Sequence, residues 1–358
     1  MKHASRYLSI LAISMFSVTS MGADVRLLQE LQINHTTMGA TFTKDFIFTS
    51  TAEGPASNAN ILNIFDASTE KLIKSVKLSH SITHIEQSGQ NNVLVLGRLS
   101  TDRWDGYYSL VNYSQGNFAV KTTKLANQQM FDGVSSSQNG DLFFADMGSR
   151  SIYRFVNSKF QRVAFDFSGT GRMSNDANHL WVLSRGDLFN LGDERIFKVD
   201  LKNTKNVSPL NSDQSLFSGL TDLLPLSNSS SKYILASNGL TNQIQTHLKS
   251  TGELVSTYNL EYAPYQLAEF GRCVASLGSH EKQLTITQIQ EDGSLKALAT
   301  TDLNLAGDRL KMPRKVIAST QHKKIVVRSA YPCPSCSVTQ SSDFVVSFEK
   351  DSNVQSCF

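Results

Sequence analysis

Four cysteines carry the most definite chemistry in this sequence. Cys333 and Cys336 form a Cys-Pro-Ser-Cys motif, whereas Cys273 and Cys357 stand apart. A CxxC motif can serve as a redox pair, as half of a zinc site or as a disulfide. A redox pair needs a helix start to lower a thiol pKa, and zinc needs further ligands that no second CxxC motif or nearby His pair supplies. The even number of cysteines therefore favours two disulfides, with redox and zinc chemistry as the alternatives.

A second set of candidate residues lies at the ends of seven short apolar runs. Asp146 is the only charged member, and the others are Ser50, Gly97, Ser184, Ser237, Gly278 and Ser329. The neighbours of this set are Arg98, Arg185, Arg328, Asn238 and His280. The local excess of arginine favours a small anionic ligand, because guanidinium groups pair with carboxylates and phosphates. The alternative is that small residues simply fit a crowded interior.

Long polar segments follow four of these runs, at 51–60, 98–106, 185–194 and 330–342, whereas the other three segments have four or five residues. Trp104, Arg103 and Tyr331 lie in the long segments, and Tyr107 and Tyr108 follow one of them. Aromatic and Arg side chains on loops held by a rigid scaffold are typical of recognition surfaces. We therefore expect these loops to bind a protein or a small anionic ligand, with neutral variation in loop length as the alternative.

The elements that would position these residues repeat along the chain. Each repeat has an apolar run, a short polar turn, a second apolar run ending in small polar residues, and two further strand-like runs. Successive units follow at intervals of about 40 to 50 residues, which is the period of a four-stranded propeller blade. Seven units are present, so the sequence predicts an all-β fold, a seven-bladed β-propeller.

The clearest copy of the repeat, at residues 140–155, reads GDLFFADMGSRSIYRF. It resembles the core of NHL or YVTN-type propeller repeats, where a strand ending in Ala-Asp leads through a Gly-containing turn into an Ile-x-x-Phe strand. Related propellers of the gluconolactonase and regucalcin type hold a divalent metal ion on the axis with Glu, Asn and Asp. That resemblance would make Asp146 and Asn238 ligands of one divalent metal ion, although no Glu stands at an equivalent strand end.

The number of strands predicts how the propeller closes. Outer strands are recognisable in six units, at 72–78, 118–125, 160–167, 207–210, 254–260 and 295–303. The seventh unit lacks an outer strand, and residues 25–33 have the same pattern as the other six. We therefore expect residues 25–33 to complete the last blade by pairing with 343–349, which would also cover an exposed sheet edge. The alternative is a frayed N-terminal tail.

The propeller topology also selects the disulfide pairs. Cys333 and Cys336 would share one loop between the second and third strands of blade seven. Cys273 would begin the second strand of blade six, and Cys357 would follow the third strand of blade seven, both at the opposite face. We expect the bonds Cys333–Cys336 and Cys273–Cys357, because any other pairing would join opposite faces.

The N-terminal residues predict export. Lys2 and Arg6 precede a short apolar stretch at residues 8–18, and small residues stand before Asp24. This is the pattern of a secretory signal peptide, which we assign to residues 1–23, with a single propeller domain at 24–358. No later run reaches the roughly 18 apolar residues of a transmembrane helix. The expected location is the periplasm or the extracellular medium.

Charge and motifs narrow the function. The chain has 34 Lys and Arg against 31 Asp and Glu, so its charge favours neither nucleic acid nor an anionic membrane as partner. The G-x-S-x-G motif of α/β-hydrolases and the H-E-x-x-H motif of zinc proteases are absent. We therefore expect an exported binding or interaction module that needs no cofactor. The alternative is a metal-assisted hydrolase, lactonase or lyase with one divalent ion near Asp146.

Overall fold

Seven four-stranded antiparallel sheets form the protein in this computed structural model. It describes residues 22–31, 39–51, 60–98, 106–114, 116–125, 131–136, 142–146, 151–156, 159–165, 170–184, 194–210, 219–227, 231–304, 310, 312–329, 341–350 and 352–358. The fold is a seven-bladed β-propeller, as the repeat predicts. Within these ranges, no helix is long and apolar enough to cross a membrane.

The inner two strands of each blade form the central part of the propeller. The inner strands of blades one to seven are β2 (Ala40–Phe42), β6 (His84–Gln87), β10 (Phe131–Ser136), β14 (Thr170–Asn175), β18 (Leu220–Pro225), β22 (Pro264–Phe270) and β26 (Pro313–Ser319). The second strands are β3 (Phe46–Thr51), β7 (Asn92–Arg98), β11 (Leu142–Asp146), β15 (His179–Ser184), β19 (Tyr233–Asn238), β23 (Cys273–Gly278) and β27 (Lys324–Ser329). Neighbouring inner strands contact one another all round the axis, and β26 contacts β2.

The outer two strands of each blade form the rim. The third strands are β4 (Ile61–Asp66), β8 (Gly106–Ser114), β12 (Ser151–Val156), β16 (Arg195–Asp200), β20 (Gln243–Leu248), β24 (Gln283–Ile289) and β28 (Ser341–Phe348). The outer strands are β5 (Leu72–Lys77), β9 (Asn117–Lys124), β13 (Lys159–Phe165), β17 (Val207–Pro209), β21 (Leu254–Asn259), β25 (Leu295–Asp302) and, in blade seven, β1 (Ala23–Leu31). A short 3-10 helix, Asn353–Cys357, follows β28.

The apolar runs of the sequence form the core between blades. Strands β11, β19 and β23 are buried along their whole length, because the second strand of a blade is covered on each face by a neighbouring blade. A strand buried on two faces is continuously apolar rather than alternating. Phe48 and Val93 pack between blades one and two, and Leu94 and Phe144 pack between blades two and three.

Strand β1 closes the ring. It pairs antiparallel with β28, from Ala23 opposite Phe348 to Leu31 opposite Ser341. This confirms that the N-terminal strand completes the last blade, although the strand begins at Ala23 rather than at residue 25. Arg26 pairs with Glu70 at 3.0 Å, so β1 also ties blade seven to blade one.

One of the two expected disulfides lies in the described part of the chain. Cys273, the first residue of β23, is bonded to Cys357 in the 3-10 helix, with an S–S distance of 2.08 Å. The two sulfurs belong to a buried apolar cluster that includes Phe270 and Val354. Cys333 and Cys336 lie outside the described residues, so their bond stays a prediction.

Asp176 links blades four and five beside the turn between β14 and β15. Its carboxylate accepts hydrogen bonds from Trp181 Nε1 at 3.1 Å and from Lys249 Nζ at 2.8 Å. Burial alone would raise the pKa of Asp176, but the bonds from Lys249, the Asn178 amide and Trp181 outweigh it and hold the pKa at about 2. Its ionised form is therefore favoured in the folded protein.

Asp176→Asn should destabilise the protein at neutral pH. A carboxylate with a lowered pKa stabilises the fold above its unfolded pKa, and this stabilisation is lost as pH falls through the folded pKa. After allowance for solvent screening, we expect a loss on the order of 1 kcal/mol at pH 7. Urea unfolding at several pH values should show a constant difference from wild type down to about pH 4, which then shrinks toward pH 2. A difference that does not change over this range would contradict the assignment.

Candidate functional site

The small residues at the ends of the second strands form one level of the propeller. In four blades the residue named from the sequence pairs with the first residue of the inner strand: Asp146 with Phe131, Ser184 with Thr170, Gly278 with Pro264 and Ser329 with Pro313. In blade five this position belongs to Asn238, which pairs with Leu220. The sequence analysis, which named Ser237 at this position, is therefore one residue out of register in blade five.

Asp146 and Asn238 lie at this level but are almost fully buried, at 4 % and 2 % exposed. The Asn238 Oδ1 atom accepts hydrogen bonds from the backbone amides of Leu240 and Thr241 at 3.0 and 3.1 Å. That oxygen therefore holds the turn between β19 and β20. Within the described residues, no group of three or more His, Cys, Asp or Glu side chains is arranged to hold a metal ion.

Arg328 lies in the interior rather than on the ligand-binding face where the sequence predicts it. Its side chain has no exposed surface and is 3.3 Å from Asp343 Oδ2, with further hydrogen bonds to the carbonyl and hydroxyl oxygens of Ser50. Burial raises the pKa of Asp343 to about 7, although Arg328 opposes this shift. Arg328 therefore joins β27 and β28 of blade seven to β3 of blade one, and we correct its role to a structural one.

The loop residues predicted to bind a partner fall mostly outside the described chain. Trp104, Arg103, Tyr331 and Arg185 belong to the undescribed segments, so their role stays a prediction. Arg98 ends β7 opposite Gly106, and its side chain is not described. Of the tyrosines that follow this loop, Tyr107 stacks on His80 with ring centroids 5.9 Å apart, and Tyr108 packs in the core against Phe155.

Four charged side chains that the sequence analysis did not identify lie around the axis of the propeller. Lys315 of blade seven reaches Glu86 of blade two, with Nζ 3.5 Å from Oε1. Arg172 of blade four lies 5.6 Å from the centroid of the Tyr265 ring in blade six. Each contact passes over an intervening blade, which is possible only for side chains that meet at the centre of the ring. We call Glu86, Arg172, Asp222 and Lys315 the axial cluster.

Side chains of the inner strands also bind the backbone of the next blade. Asp222 Oδ2 accepts the Leu267 amide at 2.9 Å, and Gln266 Oε1 accepts the Val316 amide at 2.7 Å. Asp222 Oδ1 lies 3.9 Å from Arg172 Nε, at the limit of an ion pair. The carboxylate of Asp222 is thus shared between a fixed backbone bond and a loose electrostatic contact.

The two axial carboxyl groups have perturbed acidity. Burial raises the pKa of Glu86, and the positive charges of Lys315 and Arg172 oppose the shift. Burial likewise raises the pKa of Asp222, against the opposing effect of Arg172. Glu86 keeps 28 % of its side chain exposed although protein surrounds it, which is expected of a side chain that faces a central channel. Perturbed groups in such a channel are typical of binding sites.

Bulges in the inner strands set the top level of this site. In blades six and seven an extra residue, Tyr265 or Arg314, follows the first residue of the inner strand and interrupts the pairing. In blade four the irregularity includes Arg172. Bulges often re-aim side chains near functional sites. We call Arg172, Tyr265 and Arg314 the mouth cluster. Tyr265 directly after Pro264 and Arg314 directly after Pro313 are the sequence signal, but the contacts of these side chains across the axis are not readable from one repeat.

Comparison with solved structures agrees with the fold. A catalytically inactive virginiamycin B lyase from Staphylococcus aureus, solved with quinupristin, has a TM-score of 0.64 and 11% identity over 91% of this chain and 100% of that chain. A streptogramin B lyase gives 0.65 and 12%, over 92% and 98% of the two chains. A chain of the Mitotic Checkpoint Complex gives 0.63 and 10%, over 98% of each. At these identities the likeness shows a shared propeller fold alone.

Sequence comparison adds no family. No protein-family model matches the chain, and no curated protein matches it. The similarity of residues 140–155 to NHL or YVTN-type repeats therefore remains a resemblance, carried by β11 and β12.

Proposed function

We propose that the protein is an exported binding module, located in the periplasm or secreted, whose ligand or partner binds at the mouth and on the loops around it. The observation that carries the proposal is the mouth cluster. Arg172, Tyr265 and Arg314 lie near the start of their inner strands, which is the end of the propeller where the second strands meet the long loops. Arg and Tyr are enriched among residues that dominate binding energy.

Two further observations support export. The signal-peptide pattern of residues 1–23 ends at Ala23, the first residue of β1. The Cys273–Cys357 disulfide is of a kind that persists mainly in oxidising compartments. Propellers also serve in assemblies, as the Mitotic Checkpoint Complex chain illustrates for that protein, but the fold alone does not select a function.

Substitutions in the predicted loops test the binding face. A partner is first captured from the native envelope or medium with the purified protein. Trp104→Ala should then weaken its binding by roughly 30-fold, because truncating an interface anchor costs about 2 kcal/mol. Tyr331→Ala and Arg103→Ala should have smaller effects in the same direction. Tyr258→Ala, on the outer strand of blade five, is the matched control and should bind as wild type does.

Two outcomes would favour another function. If Trp104→Ala lowers the melting temperature but leaves the affinity per folded molecule unchanged, Trp104 is a packing residue and the loop surface is excluded. If binding survives the three loop substitutions while Asp146→Ala abolishes it, the site is the axial mouth, and about one divalent ion per protein by elemental analysis would then favour the metal-assisted hydrolase or lyase.

A further inference from the structure

Arg314 of the mouth cluster has a buried hydrogen-bond donor for which the described residues supply no acceptor. Its guanidinium lies 5.5 Å from the Tyr265 ring centroid, and its Nε atom is buried without a hydrogen-bond partner among the described residues. A buried donor of this kind costs free energy until it is paired. The described carboxylates of the axial cluster do not serve it, because Glu86 pairs with Lys315 and Asp222 is held by Leu267 and Arg172.

Tyr265 brings a second guanidinium into the same place. Arg172 packs on the same ring at 5.6 Å, so two arginines from blades four and seven converge on one tyrosine of blade six. Contact with an aromatic ring stabilises each cation and fixes its orientation. Two oriented guanidinium groups can together donate several N–H bonds to the oxygens of one planar or tetrahedral anion.

We propose that the mouth cluster is an oxyanion-binding site, in which Arg314 and Arg172 bind a carboxylate or phosphate group over Tyr265. This inference rests on the proposed binding function and gives the class of ligand that the mouth takes. The ligand group enters from the face that carries the long loops, and Arg314 Nε donates to one of its oxygens. Phosphate and carboxylate share this chemistry, so the experiment measures each of them.

Titration calorimetry of the full mature chain with inorganic phosphate and, separately, with citrate tests the site at fixed ionic strength. Wild type should bind at least one of the two anions. Arg314→Gln should weaken that binding by about 10- to 100-fold, the usual effect of losing charge-assisted hydrogen bonds, and Arg172→Gln should act in the same direction. Arg314→Lys keeps the positive charge but loses the planar guanidinium, which can donate two parallel hydrogen bonds. This variant should have an intermediate affinity.

Arg272→Gln is the matched control. Arg272 donates to the Ser356 carbonyl oxygen at the opposite end of the propeller, so its loss should leave anion binding unchanged. Asp132→Asn is an opposite test, because Asp132 occupies the bulge position of blade three by strand register. Removal of that negative charge should strengthen anion binding.

Several results would overturn the inference. Wild type that binds neither anion, or Arg314→Gln and Arg172→Gln variants that bind within about twofold of wild type, would show that the mouth is not an oxyanion site. Anion binding abolished by Asp132→Asn would also contradict it. A protein that still loses partner binding on Trp104→Ala, yet shows no anion affinity, refutes this inference and leaves the proposed binding module intact.

Discussion

A chain that starts at residue 35 should be insoluble, or should melt far below a chain that starts at residue 24. The deletion removes β1, which pairs with β28 along eight residue pairs. It leaves the edge of β28 unpaired and uncovers apolar side chains, since Val25 packs against the cluster that contains Phe344 and Val346. Unpaired apolar edges favour aggregation through strand addition.

A synthetic peptide can separate loss of the strand from a general effect of truncation. A peptide of residues 23–34, added during refolding, should restore solubility and the melting temperature, because it can pair with β28 as β1 does. A peptide of the same composition in scrambled order is the control and should not. If the truncated chain melts as the longer chain does without any peptide, the ring does not depend on β1.

Among single substitutions of the cysteines, those that remove the Cys273–Cys357 bond should destabilise the protein most. The bond joins residues 84 positions apart, and a loop of that length gives a stabilisation of about 4 kcal/mol in the loop-entropy model. Cys357→Ser should lower the free energy of unfolding by about this amount. Cys336→Ser should cost less, because the bond expected between Cys333 and Cys336 closes a very short loop. Denaturant unfolding under oxidising conditions measures both.

A buried hydroxyl could by itself account for part of the loss. Cys273 and Cys357 are 0 % and 1 % exposed, so a double Cys→Ala variant at these positions removes the bond without burying a new polar group. It should remain nearly as destabilised as Cys357→Ser. Peptide mapping without reductant that finds Cys357 bonded to Cys333 or Cys336 would refute the pairing.

The strands were readable from the sequence because each second strand is buried on two faces. That position demands a continuous apolar run, and such runs, together with the turns after them, locate β11, β19 and β23. The closure by β1 was readable for a different reason: six outer strands cannot complete seven blades. Both predictions depend on local pattern and on counting, which a single sequence contains.

The candidate site was much less readable. Arg328 is followed by a loop and resembles a surface residue, yet its partner Ser50 is 278 residues away and draws it into the interior. The mouth cluster depends on bulges that shift one residue of β22 or β26, and on contacts between blades that are not neighbours. Such contacts follow from the curvature of the whole ring. The pattern within one repeat does not contain them.

The closing strand also sets the order in which the protein can be completed. Each of the first six blades comes from one continuous stretch of chain, so it can form as soon as that stretch is available. Blade seven joins residues from the two ends, as the contact of Arg26 with Ser347, 321 residues apart, shows. The earliest strand to be synthesised must therefore wait for the latest, and pairing over such a distance is slow. Until then the ring is open and the strand edges at both of its ends are unpaired. At this stage the chain is most prone to aggregate with other copies of itself.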